Sequence, residues 1–160
     1  MPTTVAADPP RVRIADASDA SAAASLLHDF NTEFDEFTPG VEALTRRLFP
    51  LIDAGEAVIL LGGDGPHGIA VLRFRPALWT ESLDAYLEEL YVAPDRRGEG
   101  LGQALLEVAL ELARSRGAGF IHVGTSVDDR AACALYEKLG FTNREGAPDG
   151  PLMIFYERDL

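Results

Sequence analysis

One stretch constrains this chain more than any other. An apolar, partly alternating run ends at Pro94, a short charged and glycine-rich loop follows, and a long amphipathic pattern starts at Leu101. The segment from Glu88 to Gly102 therefore reads as strand, loop and helix. A helix N-terminus carries unpaired backbone N–H groups and the positive end of the helix dipole. Glycines let those N–H groups close on an anion with no side chain in the way. The segment is thus a candidate phosphate cradle, with Arg96 and Arg97 at its mouth.

Two common phosphate loops fail on spacing. A P-loop needs Gly-Lys-Ser or Gly-Lys-Thr after its first glycine and four further residues, and no lysine follows these glycines in the loop. A dinucleotide fingerprint counted from Gly98 and Gly100 would place its third glycine where Gln103 stands. What remains is Arg97-x-x-Gly100-x-Gly102.

The totals exclude several classes. At 160 residues the chain has the length of one ordinary domain. An apolar fraction of 47% is too high for a disordered chain, and no apolar run has the length of a membrane span. Residues 1–10 lack a basic segment followed by an apolar one, so they are expected to be a disordered lead-in and not a signal peptide. A single domain is expected over residues 11–160. Cys133 is the only cysteine and cannot form an internal disulfide, which fits a cytoplasmic protein. The net charge of −12 argues against a nucleic-acid-binding face; it either favours cationic partners or only keeps the protein soluble.

In chain order, Arg11 to Ala15 reads as a strand, and Asp16 to Asp19 supply caps for an alanine-rich helix with Ala23, Leu26, Leu27 and Phe30 on its apolar stripe. A second helix spans about Val41 to Leu51. Glu56 to Leu61 and His67 to Arg75 form a hairpin around a glycine-rich turn. In the loop that follows, Trp79 either covers a substrate or anchors the loop. Asp84 to Val92 is the strand that enters the cradle. Leu101, Leu105, Val108 and Leu112 mark one face of the next helix, which Gly117 and Gly119 end. Phe120 to Val123 reads as a buried strand parallel to the one before the loop. Asp128 and Asp129 can cap a helix running to about Leu139, and Leu152 to Glu157 is expected as a last strand. The result is an α/β fold: a mixed sheet flanked by about four helices.

The Arg97-x-x-Gly100-x-Gly102 segment resembles the Gln/Arg-x-x-Gly-x-Gly/Ala signature of the GCN5-related N-acetyltransferases (the GNAT family). A second segment, with Ala132, Tyr136, Gly140 and Phe141, resembles the Ala-x-x-x-Tyr-x-x-x-Gly-Phe segment of the same family. Both occur in the family's order. The resemblance implies an acyl-CoA N-acyltransferase fold and acetyl-CoA as acetyl donor. It implies that Leu90, Tyr91 and Val92 line the pantetheine arm and thioester. It further implies that backbone N–H groups among Arg97, Gly98, Glu99, Gly100, Leu101, Gly102 and Gln103 hold the pyrophosphate. Tyr136 resembles the tyrosine that protonates the departing thiolate, a role that a neutral phenol can fill at pH 7. The run from Tyr86 to Val92 is similar to its counterpart in the diamine and polyamine acetyltransferases. There the first acid is the proposed water-mediated base, which maps to Glu88, with Glu89 as the alternative; the other reading is an acid that only pairs with an arginine such as Arg73 or Arg75. Adjacent strand residues face opposite sides, so only one of the two should enter the cleft unless a bulge rotates the register. Many family members carry Asn where this chain has Asp129, which either caps the last helix or faces the amine.

These features imply an acetyl-CoA-dependent N-acetyltransferase acting by direct attack of a primary amine, with a small cationic amine as acceptor. The alternatives are an N-terminal or lysine protein acetyltransferase, and a non-catalytic acetyl-CoA-binding sensor module. No metal, nucleic acid or membrane partner is implied; a homodimer is expected from the family.

Overall fold

The computed structural model of the protein describes residues 10–160. The lead-in expected over residues 1–10 lies, but for Pro10, outside the described residues. A first compact unit ends at His122 and a second runs from Val123 to Leu160.

The first unit contains β1 (Val12–Ile14), α1 (Ala20–Glu33), α2 (Val41–Asp53), β2 (Val58–Gly62), β3 (Gly68–Pro76), β4 (Leu83–Val92) and α3 (Leu101–Ser115). It also holds most of β5 (Ala118–Val123). The sheet order is β1-β2-β3-β4-β5, and the first three pairings are antiparallel. The Leu83 N–H donates to the Gly117 carbonyl at 3.1 Å, so β4 and β5 start side by side and run the same way. This is the expected α/β architecture, a five-stranded mixed sheet with four α-helices among the described residues.

Each sheet face has its own cover. Ile59, Leu61, Ile69, Val71 and Tyr91 share a core with Ala23, Ala24 and Leu26 of α1 and with Leu48 and Ile52 of α2. Strand alternation sends Leu60, Ala70 and Leu72 to the opposite face, where they too are fully buried. There α3 approaches closely because Gly62 and Gly68 present no side chain. A Cβ on Gly62 would lie 2.7 Å from the Leu101 Cδ1, and one on Gly68 would lie 2.8 Å from the Leu105 Cδ1. The first turn of α3 is thereby seated over the β2–β3 hairpin. Asp16 and Asp19 form a capping box on the 3₁₀ turn Ala17–Asp19 that leads into α1, while α1 itself has no side-chain cap.

Three expectations fail in the first unit, the first being the face of α3: Val108 is exposed, and the buried side runs through Leu101, Leu105, Leu106, Ala109 and Ala113. The strand read over Phe120 to Val123 is present, but it is not buried; Phe120 is 61% exposed, because β5 is last in the strand order and only β4 pairs with it among the described residues. Trp79 does not anchor its loop, being 95% exposed.

The second unit holds α4 (Arg130–Lys138) and irregular chain beyond it. The strand expected over Leu152 to Glu157 does not form. A ladder needs a partner, and the pairing here is a single antiparallel bridge, Arg144 with Leu152. Flanking bonds run from Glu145 N–H to the Pro151 carbonyl (2.9 Å) and from Met153 N–H to the Asn143 carbonyl (2.8 Å).

Candidate active site

The β3–β4 ladder carries a β-bulge. Leu87 faces Leu72 and Glu89 faces Val71, so Glu88 is the extra residue. In a regular strand Leu87, Glu89 and Tyr91 would share one face. Here Leu87 stays on the α3 side, while Glu89 and Tyr91 turn to the side of Val71 and Ile69, under α1 and α2. The Glu88 carboxylate also reaches that side, 3.8 Å from the Arg73 Nε, which shares the Tyr86 register position.

The two carboxylates then act on each other. Glu89 is half-buried; loss of hydration, and after it the neighbouring Glu88 charge, push its pKa up to about 7. Burial, then the charges of Glu88 and Glu89, likewise raise Tyr86. The Tyr86 ring stacks on His122 with centroids 4.7 Å apart, and Phe120 continues the stack at 6.0 Å. Arg73, Phe74, Arg75, Asp84, Tyr86 and His122 line a cavity of about 130 Å³. His122, expected as a structural residue of a buried strand, is half-exposed and lines this cavity.

The end of β4 has open backbone. The Ala93 N–H donates to the His67 carbonyl at 2.8 Å. Antiparallel pairs alternate, so the Gly68–Val92 and Ala70–Leu90 pairs exchange no hydrogen bonds. The N–H and C=O groups of Leu90 and Val92 therefore point away from β3. β4 has ten residues and β5 six, and both start together, so β5 has ended where Leu90 begins.

Beyond β4 the chain makes a 3₁₀ turn at Pro94–Arg96 and then the glycine loop. Gly98 and Gly100 adopt φ of +79° and +84°, the left-handed region that side chains disfavour. A Cβ at either would meet nothing within 4 Å, so the space in front of them is open. Gly100 is the N-cap of α3, and no side chain caps the helix. The first helical bond is Ala104 N–H to the Gly100 carbonyl, which leaves the N–H groups of Leu101 and Gly102 without intrahelical partners. Such a cluster fits a pyrophosphate. Glu99 does not intrude, because its carboxylate pairs with the Arg96 Nε at 3.0 Å.

The Arg97 side chain is engaged by α1 and by the end of β4. Its Nη1 and Nη2 donate to Glu33 Oε1 and Oε2 at 2.7 Å each, and its Nε donates to the Val92 carbonyl at 2.9 Å. Its guanidinium carbon lies 5.7 Å from the centre of the Tyr91 ring, which in turn stacks on Phe30 at 5.0 Å. The Arg97 hydrogen bonds hold the Glu33 carboxyl below its ordinary range. Tyr91 is buried against this network, while Leu90 and Val92 are the residues with outward-facing backbone.

In the second unit, Asp129 caps α4 by accepting from the Ala132 N–H at 3.0 Å. Tyr136 is buried there, its ring 5.6 Å from that of Phe141. Gly140, at φ +90°, ends the turn, and the Phe141 N–H returns to the Tyr136 carbonyl at 3.0 Å. Cys133 is half-buried, with its sulfur 3.6 Å from the Ser126 carbonyl oxygen. Among the described residues no group of His, Cys, Asp and Glu could hold a metal ion, and no helix is long and apolar enough to cross a membrane.

The structure thus gathers the glycine cradle, the outward end of β4 and the Glu88–Glu89 pair in the first unit, and Tyr136 belongs to the second. Sequence reading set Glu33 among the interleaved aromatics and acids of Phe30 to Phe37, either a solvated acidic face or a wall of an amine-binding cleft, and did not pair it with Arg97. It also missed the arginine, tyrosine and histidine cavity, whose only sequence signal is the polar alternation of β3.

Comparison with known proteins agrees with this geometry. The profile of the acetyltransferase (GNAT) family matches residues 23–141. The crystal structure of a protein assigned as an acetyltransferase from Arthrobacter sp. FB24 superposes with a TM-score of 0.88 and 44% identity, covering 97% of this chain and 99% of that one. YhfO of Bacillus subtilis, an uncharacterised N-acetyltransferase, is 28% identical over 137 residues, 84% of this chain and 91% of its own length. An uncharacterised N-acetyltransferase of Methanocaldococcus jannaschii is 38% identical over 61 residues, and the matched region spans 38% of this chain and only 27% of that relative. With an uncapped helix N-terminus behind a glycine loop, the bulged strand that leads into it, and the family profile over most of its length, this chain belongs to the acetyltransferase (GNAT) family.

Proposed function

We propose that this N-acetyltransferase moves acetyl from acetyl-CoA to a primary amine on a small cationic acceptor, by direct attack within a ternary complex. The bulge in β4 carries the proposal. It sets two carboxylates on one sheet face, next to a strand end whose N–H and C=O groups point away from β3.

Bound acetyl-CoA supplies an activated acetyl group as its thioester. The chain's own residues do the rest. The N–H groups of Leu101 and Gly102 hold the pyrophosphate. Glu89, which binds a proton with a pKa of about 7, accepts one from the ammonium form of the acceptor, directly or through a water. We assign the base to Glu89 and not to Glu88, which is more exposed and sits beside Arg73. Glu88 adds the negative charge that attracts a cation and raises its neighbour. The Val92 N–H is placed to meet negative charge on the acetyl oxygen. The Tyr136 phenol donates the proton that the leaving sulfur needs and is restored by the second proton that the attacking nitrogen loses, so the products are the amide, the free thiol and one proton, which Glu89 passes to solvent.

The test is thiol release from acetyl-CoA with a panel of diamines, polyamines, amino-acid amides and short peptides, for the wild type, Glu89→Gln and Tyr136→Phe. Turnover with small cationic amines, lowered about a hundredfold in each variant, is the expected result. Preference for a peptide N-terminus or lysine overturns the acceptor assignment. Acetyl-CoA binding with no turnover on any acceptor favours the sensor module.

A further inference from the structure

We propose that Glu33 is a positioning residue for the acetyl-CoA site: it fixes Arg97 so that the guanidinium braces the Val92 carbonyl and, through it, the loop from Ala93 to Gly100. This rests on reading that loop as the pyrophosphate cradle.

The pair is unlike an ordinary surface salt bridge, which contributes little because two long side chains must be ordered in water. Both guanidinium termini meet both carboxylate oxygens at 2.7 Å, the parallel arrangement that is strongest for this pair. The third bond goes to a main-chain carbonyl at 2.9 Å. That carbonyl points away from β3, so the side chain satisfies an acceptor that the ladder does not. Three of the five N–H donors of the Arg97 fork are accounted for in this way. The Tyr91 ring lies under the fork and stacks in turn on Phe30. Phe30 and Glu33 both belong to the end of α1, so one helix end grips both the strand residue and the loop residue.

The location of Glu33 is itself informative. It is the last residue of α1, where the helix dipole disfavours a carboxylate. A local choice that opposes the helix indicates a tertiary reason, and the fork of Arg97 supplies it.

Two roles for Arg97 predict opposite results. If Arg97 served as a direct cation for the pyrophosphate, removing the Glu33 charge would release it and tighten CoA binding. If Glu33 holds it as a brace, the same change loosens the cradle and weakens binding. The experiment is calorimetric CoA binding, with kcat and KM for acetyl-CoA, for Glu33→Gln, Arg97→Gln, the double variant, Glu33→Asp and Gly100→Glu. Glu33→Gln is expected to weaken CoA about tenfold and to raise KM by a similar factor, with kcat at saturation within about twofold of wild type. The double variant should be no weaker than Arg97→Gln alone, and Glu33→Asp should recover part of the loss. Unchanged or tighter binding by Glu33→Gln, or additive losses in the double variant, overturns the proposal. Gly100→Glu separates the two levels of inference. If it loses CoA while Glu33→Gln does not, the brace alone is wrong. If it binds CoA like wild type, the cradle reading falls and the brace with it.

Discussion

Glu89 faces Val71 across the β3–β4 ladder, whereas Leu87, two residues earlier, faces Leu72 on the opposite side of the sheet. That relationship is the ground for proposing Glu89 as the base. Val71 belongs to the core under α1 and α2, so Glu89 is carried into partly buried surroundings near Glu88 and Tyr86.

A pH–rate profile checks the assignment. Burial and the Glu88 charge hold the Glu89 carboxyl at about 7. The rate of amine acetylation is therefore expected to rise through neutral pH and level off above it. Glu88→Gln removes a like charge and moves this limb to lower pH. Glu89→Gln removes the limb and lowers kcat by about two orders of magnitude. A limb that persists unchanged in Glu89→Gln places the base elsewhere.

The same carboxyl affects stability, with a defined sign. Its pKa is about 7 in the folded chain and 4.5 as the ordinary value. Between those values the folded form holds a proton that the unfolded form has lost, so stability falls as pH rises. The contribution is fully present below the ordinary value and gone above 7. Glu89→Gln should stabilise the protein relative to wild type at pH 8, by about 1 kcal/mol after allowing for solvent screening, and have no such effect at pH 4. Urea unfolding at the two pH values measures the difference.

The seating of α3 gives a prediction with a purely steric cause. A Cβ on Gly68 would lie 2.8 Å from the Leu105 Cδ1 and 3.1 Å from the Leu101 Cδ2. Gly68→Ala should cost about 1–3 kcal/mol and shift the first turn of α3. CoA affinity should fall with it, because the N–H groups of that turn move. Gly98→Ala meets no atom within 4 Å but sits at φ +79°, so its cost of about 1–2 kcal/mol comes from the backbone alone. Denaturant titrations and CoA binding on the two variants separate packing from conformational strain.

These relationships differ in how far the sequence revealed them. The strand before Pro94, the glycine loop and α3 were legible because a strand period, a pair of glycines and a helix period follow one another without a gap. The Asp129 cap was legible because capping is a local event three residues long. The bulge was suggested only by the family resemblance, since the run Leu87-Glu88-Glu89-Leu90-Tyr91 does not by itself say which residue is left out of the ladder. The pairing of Glu33 with Arg97 was not legible, because the two lie 64 positions apart and meet only once α1 is packed on the sheet. The segment from Leu152 to Glu157 has the composition of a strand, but composition supplies no partner, and pairing there stops after one bridge.

Tyr136 offers a test that separates chemistry from packing. Its ring is buried beside Phe141, and Tyr136→Phe keeps that ring while removing the hydroxyl. Stability should stay within about 1 kcal/mol of wild type, the ordinary worth of one hydrogen bond. A structural role would end there. A role as proton donor to sulfur predicts in addition that kcat falls about a hundredfold. It also predicts that the loss depends on the leaving thiol. With an acetyl thioester of a more acidic thiol, less negative charge needs quenching as sulfur departs, and Tyr136→Phe should approach wild type. Equal losses with both thioesters would mean that the hydroxyl acts on binding or orientation and that the proton comes from another group.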